Sequence, residues 1–372
     1  MDNEIYAKSL LIKHKHPDSW FITSYGMNLY RGCSHDCIYC DGRSEKYRIE
    51  GDFCDAKIKI NAAEVLKKEL DPARKRKPFI KGFILPGGGV GDVYQKAEEK
   101  YQLTREILKV ILDYGLPVHI LTKSVLVERD IDIISEINRR SRAIVSFSLS
   151  SSNDNISSYF EPGASPASER LKAVNFFRQK GIHSGIFLMP LIPYITDTED
   201  ILSRTIHDVK QAGADYMVTG GMTLKSGRQK DLFYEHLKKS KRNLIEKYDR
   251  IYPPDKYGSP SSNYINAKTA AFNRLTENLN IPKRIPVSIF RDILAPKEMC
   301  AVVLEQLYFF YKNRNISSSF GQAAWKLRKI NPDSVNIPEL SSLNGIDNLS
   351  ISVIKEIAET GTSELYEEML IK

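Results

Sequence analysis

Three of the chain's five cysteines lie within one short segment, at Cys33, Cys37 and Cys40. Thiolates this close together can bind a single soft metal centre, and they cannot form a disulfide framework. A tetrahedral zinc site usually shows a second, separated pair of ligands, whereas Cys54 and Cys300 are isolated. The C-x3-C-x2-C spacing therefore favours a four-iron cluster that keeps one iron open. A small zinc knot and three unrelated buried thiols are the alternatives.

Strand-like and helix-like stretches alternate along roughly the first 220 residues. The stretches rich in β-branched and aromatic residues that predict strands are 21–30, 78–86, 116–123, 142–150, 182–190 and 214–220. The amphipathic stretches that predict helices are 62–70, 101–114, 131–140, 165–181 and 197–213. Six consecutive β/α units predict an α/β fold with a parallel sheet, curved or closed. Its chemistry should lie at the carboxyl ends of the strands.

A glycine-rich loop follows the second predicted strand. Its residues are Gly87, Gly88, Gly89, Gly91 and Asp92. Glycines at this density permit positive φ angles and a close approach of the backbone to a ligand. A flexible turn without a ligand is the alternative interpretation.

Two polar residues at the ends of the next strands are candidates for binding an anionic group. Lys123 follows the third predicted strand, and Ser148 lies in the fourth. Lysine and serine in such positions can hold a carboxylate. A solvated strand terminus explains them equally well from the sequence alone.

The cysteine spacing, with aromatic Tyr39 before the last cysteine, resembles the radical S-adenosylmethionine (radical SAM) superfamily. The run 147–151, the motif 160–165 and the segment 190–193 are similar to the branch that contains spore photoproduct lyase and DNA-repair-photolyase-like relatives. The resemblance covers about residues 25–220. It implies a partial (β/α)6 barrel radical SAM core.

The resemblance also implies cofactors and their ligands. Cys33, Cys37 and Cys40 would bind a [4Fe–4S] cluster, from which S-adenosylmethionine receives the electron that yields a 5′-deoxyadenosyl radical. The implied S-adenosylmethionine-binding residues are Tyr39, Gly87, Gly88, Gly89, Gly91, Asp92, Lys123 and Ser148. An electron donor such as flavodoxin or ferredoxin would be a partner. Gly89 stands where the lyase has its hydrogen-donating cysteine, so the lyase's own reaction is not carried over.

The composition changes after about residue 220, where a basic run and Pro/Ser-rich breaks appear. We predict a radical SAM partial barrel over 1–250, a linker and packing segment over 251–290, and an all-helical domain over 291–372. Segments 320–327 and 343–368 resemble the N-terminal helix-hairpin-helix domain of family X DNA polymerases.

In that motif, backbone N–H groups at a helix start hold a DNA phosphate without reading bases. The implied nucleic-acid-binding residues are Lys326, Asn344 and Gly345. Asp347 replaces the hairpin's second glycine, and Val353 replaces the lysine that forms a Schiff base in lyase-active relatives, so no sugar-phosphate lyase activity is inferred. A protein-binding or purely structural helical domain is the alternative.

The formal net charge of +8 favours polyanionic partners, with a merely basic surface as the alternative. No apolar run is long enough to span a bilayer, and the first residues lack the features of a signal peptide, so we expect a cytoplasmic protein without a membrane partner. We expect a radical SAM enzyme acting on nucleic acid, DNA more than RNA, in lesion repair or base modification. The alternatives are a radical SAM enzyme acting on a peptide or small molecule, and a non-catalytic iron–sulfur or zinc protein that binds nucleic acid.

Overall fold

A seven-stranded sheet lies at the centre of the molecule, and six of its strands run parallel. The protein is represented by a computed structural model, which describes residues 3–74, 79–80, 82–87, 90–330 and 346–372. The strands in these ranges are β1 (Glu4–Ile5), β2 (Ile12–Lys13), β3 (Thr23–Met27), β4 (Tyr30–Arg31), β5 (Lys57–Lys59), β6 (Phe83–Pro86), β7 (Val118–Thr122), β8 (Ala143–Leu149), β9 (His183–Leu191) and β10 (Met217–Gly221).

The strand order across this sheet is β10-β9-β8-β7-β6-β3-β2, and β2 pairs antiparallel with β3. Each of the six predicted strands overlaps one parallel strand. As described, the sheet is open, with β10 and β2 at its edges. The predicted α/β fold with a partial six-stranded barrel is confirmed. A small second sheet, in the order β1-β5-β4, leads into the cysteine loop.

Helices connect the parallel strands and continue to the end of the chain. Those in the described ranges are α1 (Ala62–Leu70), α2 (Ala97–Tyr101), α3 (Leu103–Asp113), α4 (Ile131–Arg140), α5 (Asp154–Phe160), α6 (Ala167–Gln179), α7 (Glu199–Gln211), α8 (Arg228–Ser240), α9 (Ile245–Ile251), α10 (Ser262–Thr276), α11 (Val287–Phe290), α12 (Pro296–Asn313), α13 (Phe320–Leu327), α14 (Asn348–Thr360) and α15 (Glu364–Ile371). None of these helices is long and apolar enough to cross a membrane.

The two faces of the sheet carry different cores, because side chains alternate along each strand. On β8, Val145, Phe147 and Leu149 belong to the buried cluster that α1, α3, α4, α6 and α7 form on the outer face. Ile144 belongs to a second cluster on the inner face. Ser148 also lies on the inner face, at the carboxyl end of the strand, beyond the buried apolar side chains.

The C-terminal helices supply most of this inner-face cluster. Phe83, Ile144 and Phe187 of the sheet share it with side chains from α11 through α15. On α12, Gln306 accepts a hydrogen bond from the Tyr366 hydroxyl at 2.7 Å. The predicted C-terminal helices are therefore confirmed, and they pack directly on the sheet. The domain limits at residues 250 and 290 stay predictions.

A buried histidine lies between the strands on the inner face. His119 Nδ1 is 2.8 Å from the Phe21 carbonyl oxygen, and Nε2 is 2.7 Å from Ser146 Oγ. The Tyr216 hydroxyl completes the chain at 2.6 Å from Ser146 Oγ. A neutral imidazole satisfies these contacts by donating from Nδ1 and accepting at Nε2. Burial lowers the pKa of His119 to about 4.

We predict that His119 makes the fold sensitive to mild acid. Its pKa is lower in the folded chain than in the unfolded one, so its stabilising effect is present above about pH 6.5 and is lost as the pH falls through about 4. The free energy of unfolding should drop by about 3 kcal/mol from this group over that interval. Urea titrations of wild type and His119→Gln at several pH values measure the drop. An identical pH dependence for the two proteins would contradict the assignment.

Candidate functional site

A cavity of about 320 Å³ opens at the carboxyl ends of the parallel strands, and we call it the strand-end cavity. Its wall includes Cys33, Cys37 and Cys40 from the cysteine loop. It also includes Lys123, which follows β7, and Ser148 of β8. The fold thus brings the three thiols together with the two polar residues at the strand ends.

The cysteine loop is held in shape by its own backbone. Gly32 has a φ of +101°, and a Cβ there would lie 2.5 Å from the Phe53 carbonyl oxygen. The same oxygen accepts the Cys33 N–H at 2.9 Å. Cys40 N–H donates to the Cys37 carbonyl at 3.1 Å, which closes a tight turn between these two cysteines. Glycine before the first cysteine is therefore required by the close approach of the neighbouring chain.

Without a bound metal, all three thiols favour the protonated form. Burial and the nearby Asp92 raise the pKa of Cys33 to about 12. Burial raises the pKa of Cys37 far above its ordinary value, although Lys123 opposes the change. Burial also raises the pKa of Cys40. A metal centre bound here would have to displace protons. Among the described residues, no three His, Cys, Asp or Glu side chains are placed to hold one metal ion.

A buried ion pair connects the cysteine loop to the sheet. Arg170 Nη2 lies 2.6 Å from Glu161 Oε2, and both side chains are fully buried. The Tyr39 hydroxyl, in the cysteine loop, donates to the other oxygen of Glu161. Arg170 Nη1 donates to the main-chain oxygen of Ser148 at 2.5 Å. Burial opposes ionisation of Glu161, but the cations of Arg170 and Lys123 and the hydrogen bond from Tyr39 together lower the pKa of the carboxyl to about 2.

The Glu-Pro-Gly turn after α5 packs on the cysteine loop. A Cβ at Gly163 would lie 2.2 Å from the Ser34 carbonyl oxygen, so only glycine allows this approach. The Gly163 carbonyl oxygen is 2.8 Å from His35 Nδ1. The other ring nitrogen of His35 lies 3.2 Å from Asp92 Oδ2. Sequence reasoning noted this motif only as a mark of resemblance, and the structure gives it a positioning role.

Asp92 fixes the end of the glycine-rich loop against β7. Its carboxylate accepts the Thr122 hydroxyl at 2.7 Å, the Lys123 N–H at 2.7 Å and the Tyr94 N–H at 2.8 Å. Burial opposes ionisation, but His35 and these donors lower the pKa of Asp92 to about 2. The carboxylate lines the cavity while it is engaged by protein donors. Its direct contact with a cofactor stays a prediction.

Lys123 and Ser148 form one polar unit in the cavity wall. Lys123 Nζ donates to Ser148 Oγ at 2.6 Å, and Ser148 Oγ donates to the Met189 carbonyl oxygen at 3.0 Å. These contacts hold the ammonium group at the ends of three neighbouring strands. An ammonium group fixed in this way can receive a carboxylate.

Parts of the glycine-rich loop also reach the cavity. Gly87 and Gly91 line it with φ angles of +81° and +96°. A Cβ at Gly91 would lie 3.2 Å from the Gly32 carbonyl oxygen, so this glycine packs beside the cysteine loop. Gly88 and Gly89, which the sequence also predicts to bind the cofactor, lie outside the described residues.

Of the predicted nucleic-acid-binding residues, the described one, Lys326, does not line this cavity. Lys326 is half-buried on α13, and Asn344 and Gly345 lie outside the described residues. Asp347 is the N-cap of α14, where its carboxylate accepts the Ser350 N–H at 2.8 Å. The helix-hairpin-helix resemblance therefore stays a prediction.

Sequence reasoning missed several residues in the cavity wall. Asp41 directly follows the last cysteine and accepts hydrogen bonds from Lys225, from the Thr223 hydroxyl at 3.1 Å and from the Tyr47 hydroxyl at 2.7 Å. Burial opposes ionisation, but the bonds from Lys225 and Tyr47 lower the pKa of Asp41. In the sequence, only its position beside Cys40 indicates that Asp41 belongs to the site, because its partners Thr223 and Lys225 come from a distant segment.

Residues 27–205 match the family model of the radical SAM superfamily. The chain carries a radical SAM domain. The matched segment contains the cysteine loop, the four parallel strands β6, β7, β8 and β9, and the last residue of β3. This domain is that of a radical SAM enzyme, and the match leaves the reaction unspecified.

Solved structures show the same fold. A spore photoproduct lyase variant with bound AdoMet and dinucleoside spore photoproduct has a TM-score of 0.54 and 17% sequence identity. The alignment covers 74% of this chain and 78% of that one. A second lyase structure, complexed with dinucleoside spore photoproduct, also gives a TM-score of 0.54. At this identity, the comparison supports the fold of the radical SAM domain rather than its substrate.

The similar proteins found by sequence are themselves uncharacterized. One from Mycobacterium tuberculosis is 29% identical over 265 residues, which cover 70% of this chain and 76% of the relative. Another, from Methanocaldococcus jannaschii, is 33% identical over 182 residues, or 49% of this chain and 65% of that protein. These relatives assign no substrate to the chain.

We predict that the buried ion pair is essential to the stability of the radical SAM domain. Arg170→Met would leave the Glu161 carboxylate buried without its cation, so the free energy of unfolding should fall by about 3–5 kcal/mol. Arg178→Met on the same helix is the control, because its pair with Asp215 is partly exposed and should contribute at most about 1 kcal/mol. Urea denaturation of both variants measures the difference. Equal losses would show that burial of the pair does not matter.

Proposed function

We propose that this enzyme uses a [4Fe–4S] cluster and S-adenosylmethionine in the strand-end cavity to abstract hydrogen from a nucleic-acid substrate. The proposal is supported by one observation: three thiols, Lys123 and Ser148 all line the strand-end cavity. When bound, these cofactors supply the one-electron cleavage that yields a 5′-deoxyadenosyl radical. The chain's own residues would bind and orient the cofactors and the substrate, and they would exclude water.

The donor set fits the proposed cluster. Cys33, Cys37 and Cys40 would ligate three irons and leave the fourth for another ligand. Part of their surroundings is apolar, since Cys37 packs with Ile38 and Cys33 packs with Phe53. Such surroundings keep solvent from the metal centre and thereby influence its reduction potential.

The strand-end residues fit S-adenosylmethionine. Lys123, held by Ser148, would bind the carboxylate of its methionine part through a charge-assisted hydrogen bond. The backbone at Gly87 and Gly91 would approach the amino group. The Tyr39 hydroxyl is already engaged by Glu161, so Tyr39 would contribute its ring and backbone. Asp92 would act as a positioning residue, because its hydrogen bonds hold the loop to β7.

A nucleic-acid substrate agrees with three observations. The chain carries a formal net charge of +8, which attracts a polyanion. Its fold matches spore photoproduct lyase, and both lyase structures described above contain a dinucleoside spore photoproduct. Its C-terminal sequence resembles a DNA-binding hairpin. We therefore propose a damaged or modified base, in DNA rather than RNA, as the target.

The cofactor assignment predicts two distinct losses. After anaerobic reconstitution, the wild type should hold about four irons per chain and form 5′-deoxyadenosine when reduced with S-adenosylmethionine. Changing Cys33, Cys37 and Cys40 to Ala should abolish both iron and product. Lys123→Met should keep the iron but weaken S-adenosylmethionine binding roughly ten- to a hundredfold, since a charge-assisted bond is lost. Stoichiometric zinc, or iron retained by the triple variant, would refute the cluster.

The nucleic-acid assignment predicts salt-sensitive DNA binding. Backbone donors near Asn344 and Gly345, with Lys326, would hold a phosphate, giving dissociation constants of about 10⁻⁴ to 10⁻⁶ M at physiological salt. Asp347→Asn should tighten binding, because it removes a repelling charge and retains a helix-capping side chain. Fluorescence anisotropy with a labelled duplex, repeated at several salt concentrations, measures both effects.

Asp347→Gly is the companion variant for this experiment. It also removes the charge, and as an N-cap it should cost the helix only a few tenths of a kcal/mol. Both substitutions should therefore tighten binding. Salt-insensitive binding, or no change in either variant, would favour a peptide or small-molecule substrate and a structural role for the hairpin.

A further inference from the structure

A second cavity, of about 340 Å³, adjoins the first, and we call it the lateral cavity. It lies beside the edge strand β10, against α10 and the end of α12. The two cavities share the wall residues Gly221, Met222 and Thr223. A molecule in the lateral cavity would therefore lie next to the proposed site of radical formation.

Gly220 lies between side chains that line the two cavities. A Cβ at this position would lie 3.4 Å from Met189, which lines the strand-end cavity, and 3.5 Å from Trp20, which lines the lateral cavity. At Gly221, by contrast, a Cβ would meet no atom within 4 Å. The wall that the two cavities share therefore has free space beside Gly221.

Aromatic rings form much of the lateral wall. They are Trp20, Tyr264, Phe272 and Phe309. Rings of this kind bind planar groups by stacking and contribute about 1–3 kcal/mol per nucleic-acid base where they do so. Amide and hydroxyl groups between them, at Thr269 and Asn273, can accept or donate hydrogen bonds.

Cations outnumber carboxylates around this cavity. Lys268 and Lys283 both line it, and Asp197 is the one carboxylate in its described wall. Lys268 Nζ pairs with Asp197 Oδ2 at 3.1 Å. Lys283 Nζ instead donates to a main-chain oxygen of Lys372 at 2.6 Å. Burial, together with the nearby charge of Arg314, lowers the pKa of Lys283 to about 8.

A further buried cation lies behind the aromatic wall. The Arg284 guanidinium carbon is 3.5 Å from the Phe309 ring centre and 4.5 Å from the Trp20 ring centre. The side chain is only 1% exposed, and its Nε and Nη2 atoms have no hydrogen-bond partner within the described chain. Its charge adds to the positive potential at these rings, which favours an anionic ligand.

We propose that the lateral cavity binds one nucleotide unit of the substrate, with its base against the aromatic wall and its phosphate near Lys283. The volume falls within the usual range of ligand pockets. Enzymes that modify a base take it out of the stack and read it in such a pocket. This inference rests on the proposed function, because it assumes that the substrate is nucleic acid.

Tryptophan fluorescence tests the proposal in the full-length chain. The chain has two tryptophans, and Trp325 is 56% exposed on α13, so Trp325→Phe leaves Trp20 as the single reporter. Thymidine 5′-monophosphate should quench Trp20 saturably, and thymidine should bind more weakly. Lys283→Met should weaken binding of the monophosphate roughly ten- to a hundredfold, as expected for loss of a charge-assisted hydrogen bond, and leave thymidine unchanged.

A matched pair of variants on α10 locates the binding. Thr269→Phe puts a ring into the lateral cavity and should abolish quenching, whereas Ala270→Phe places the same ring at an exposed position and should preserve it. Absence of quenching in the parent, equal affinity for thymidine and its monophosphate, or quenching that survives Thr269→Phe would overturn the proposal.

The titration needs neither iron nor S-adenosylmethionine, so its outcome is independent of cofactor chemistry. Formation of 5′-deoxyadenosine without nucleotide binding would reject the lateral site alone. Nucleotide binding without formation of 5′-deoxyadenosine would reject the proposed function instead.

Discussion

The buried pair between Glu161 and Arg170 is the interaction on which the geometry of the site depends. Removing two charges from water is costly, and such pairs add little net stability compared with apolar residues of the same shape. Their value here is orientation. One carboxylate and one guanidinium join Tyr39 of the cysteine loop to the main chain at Ser148, so the thiols and the strand ends keep a fixed relation.

Much of the fold could be predicted because its signals are local. Each parallel strand coincides with a run of β-branched or aromatic residues, and the spacing of Cys33, Cys37 and Cys40 suffices to define a loop. The ends of strands shifted by a few residues, since pairing with neighbours decides where a strand stops. The first predicted strand, for example, shortened from 21–30 to Thr23–Met27.

The rest depends on contacts that no local pattern encodes. Tyr39 and Glu161 are 122 residues apart, and Thr223 meets Asp41 across 182 residues. The lateral cavity likewise draws its wall from residues as distant as Trp20 and Phe309. On α13, Phe320, Ala323 and Leu327 recur at helical spacing, a pattern typical of ordinary helical core. Only the folded chain shows that Phe320 belongs to the same buried cluster as strand residues of the sheet.

The match to the radical SAM family ends at residue 205, before β10 and the helices that bound the lateral cavity. Proteins with this core can therefore diversify in what they act on by changing their later helices while the cofactor chemistry is preserved. The freedom is limited, because those helices also cover Phe83 and Phe187 on the inner face. A new specificity must arise from sequences that still seal the sheet, so recognition and folding evolve under a common constraint.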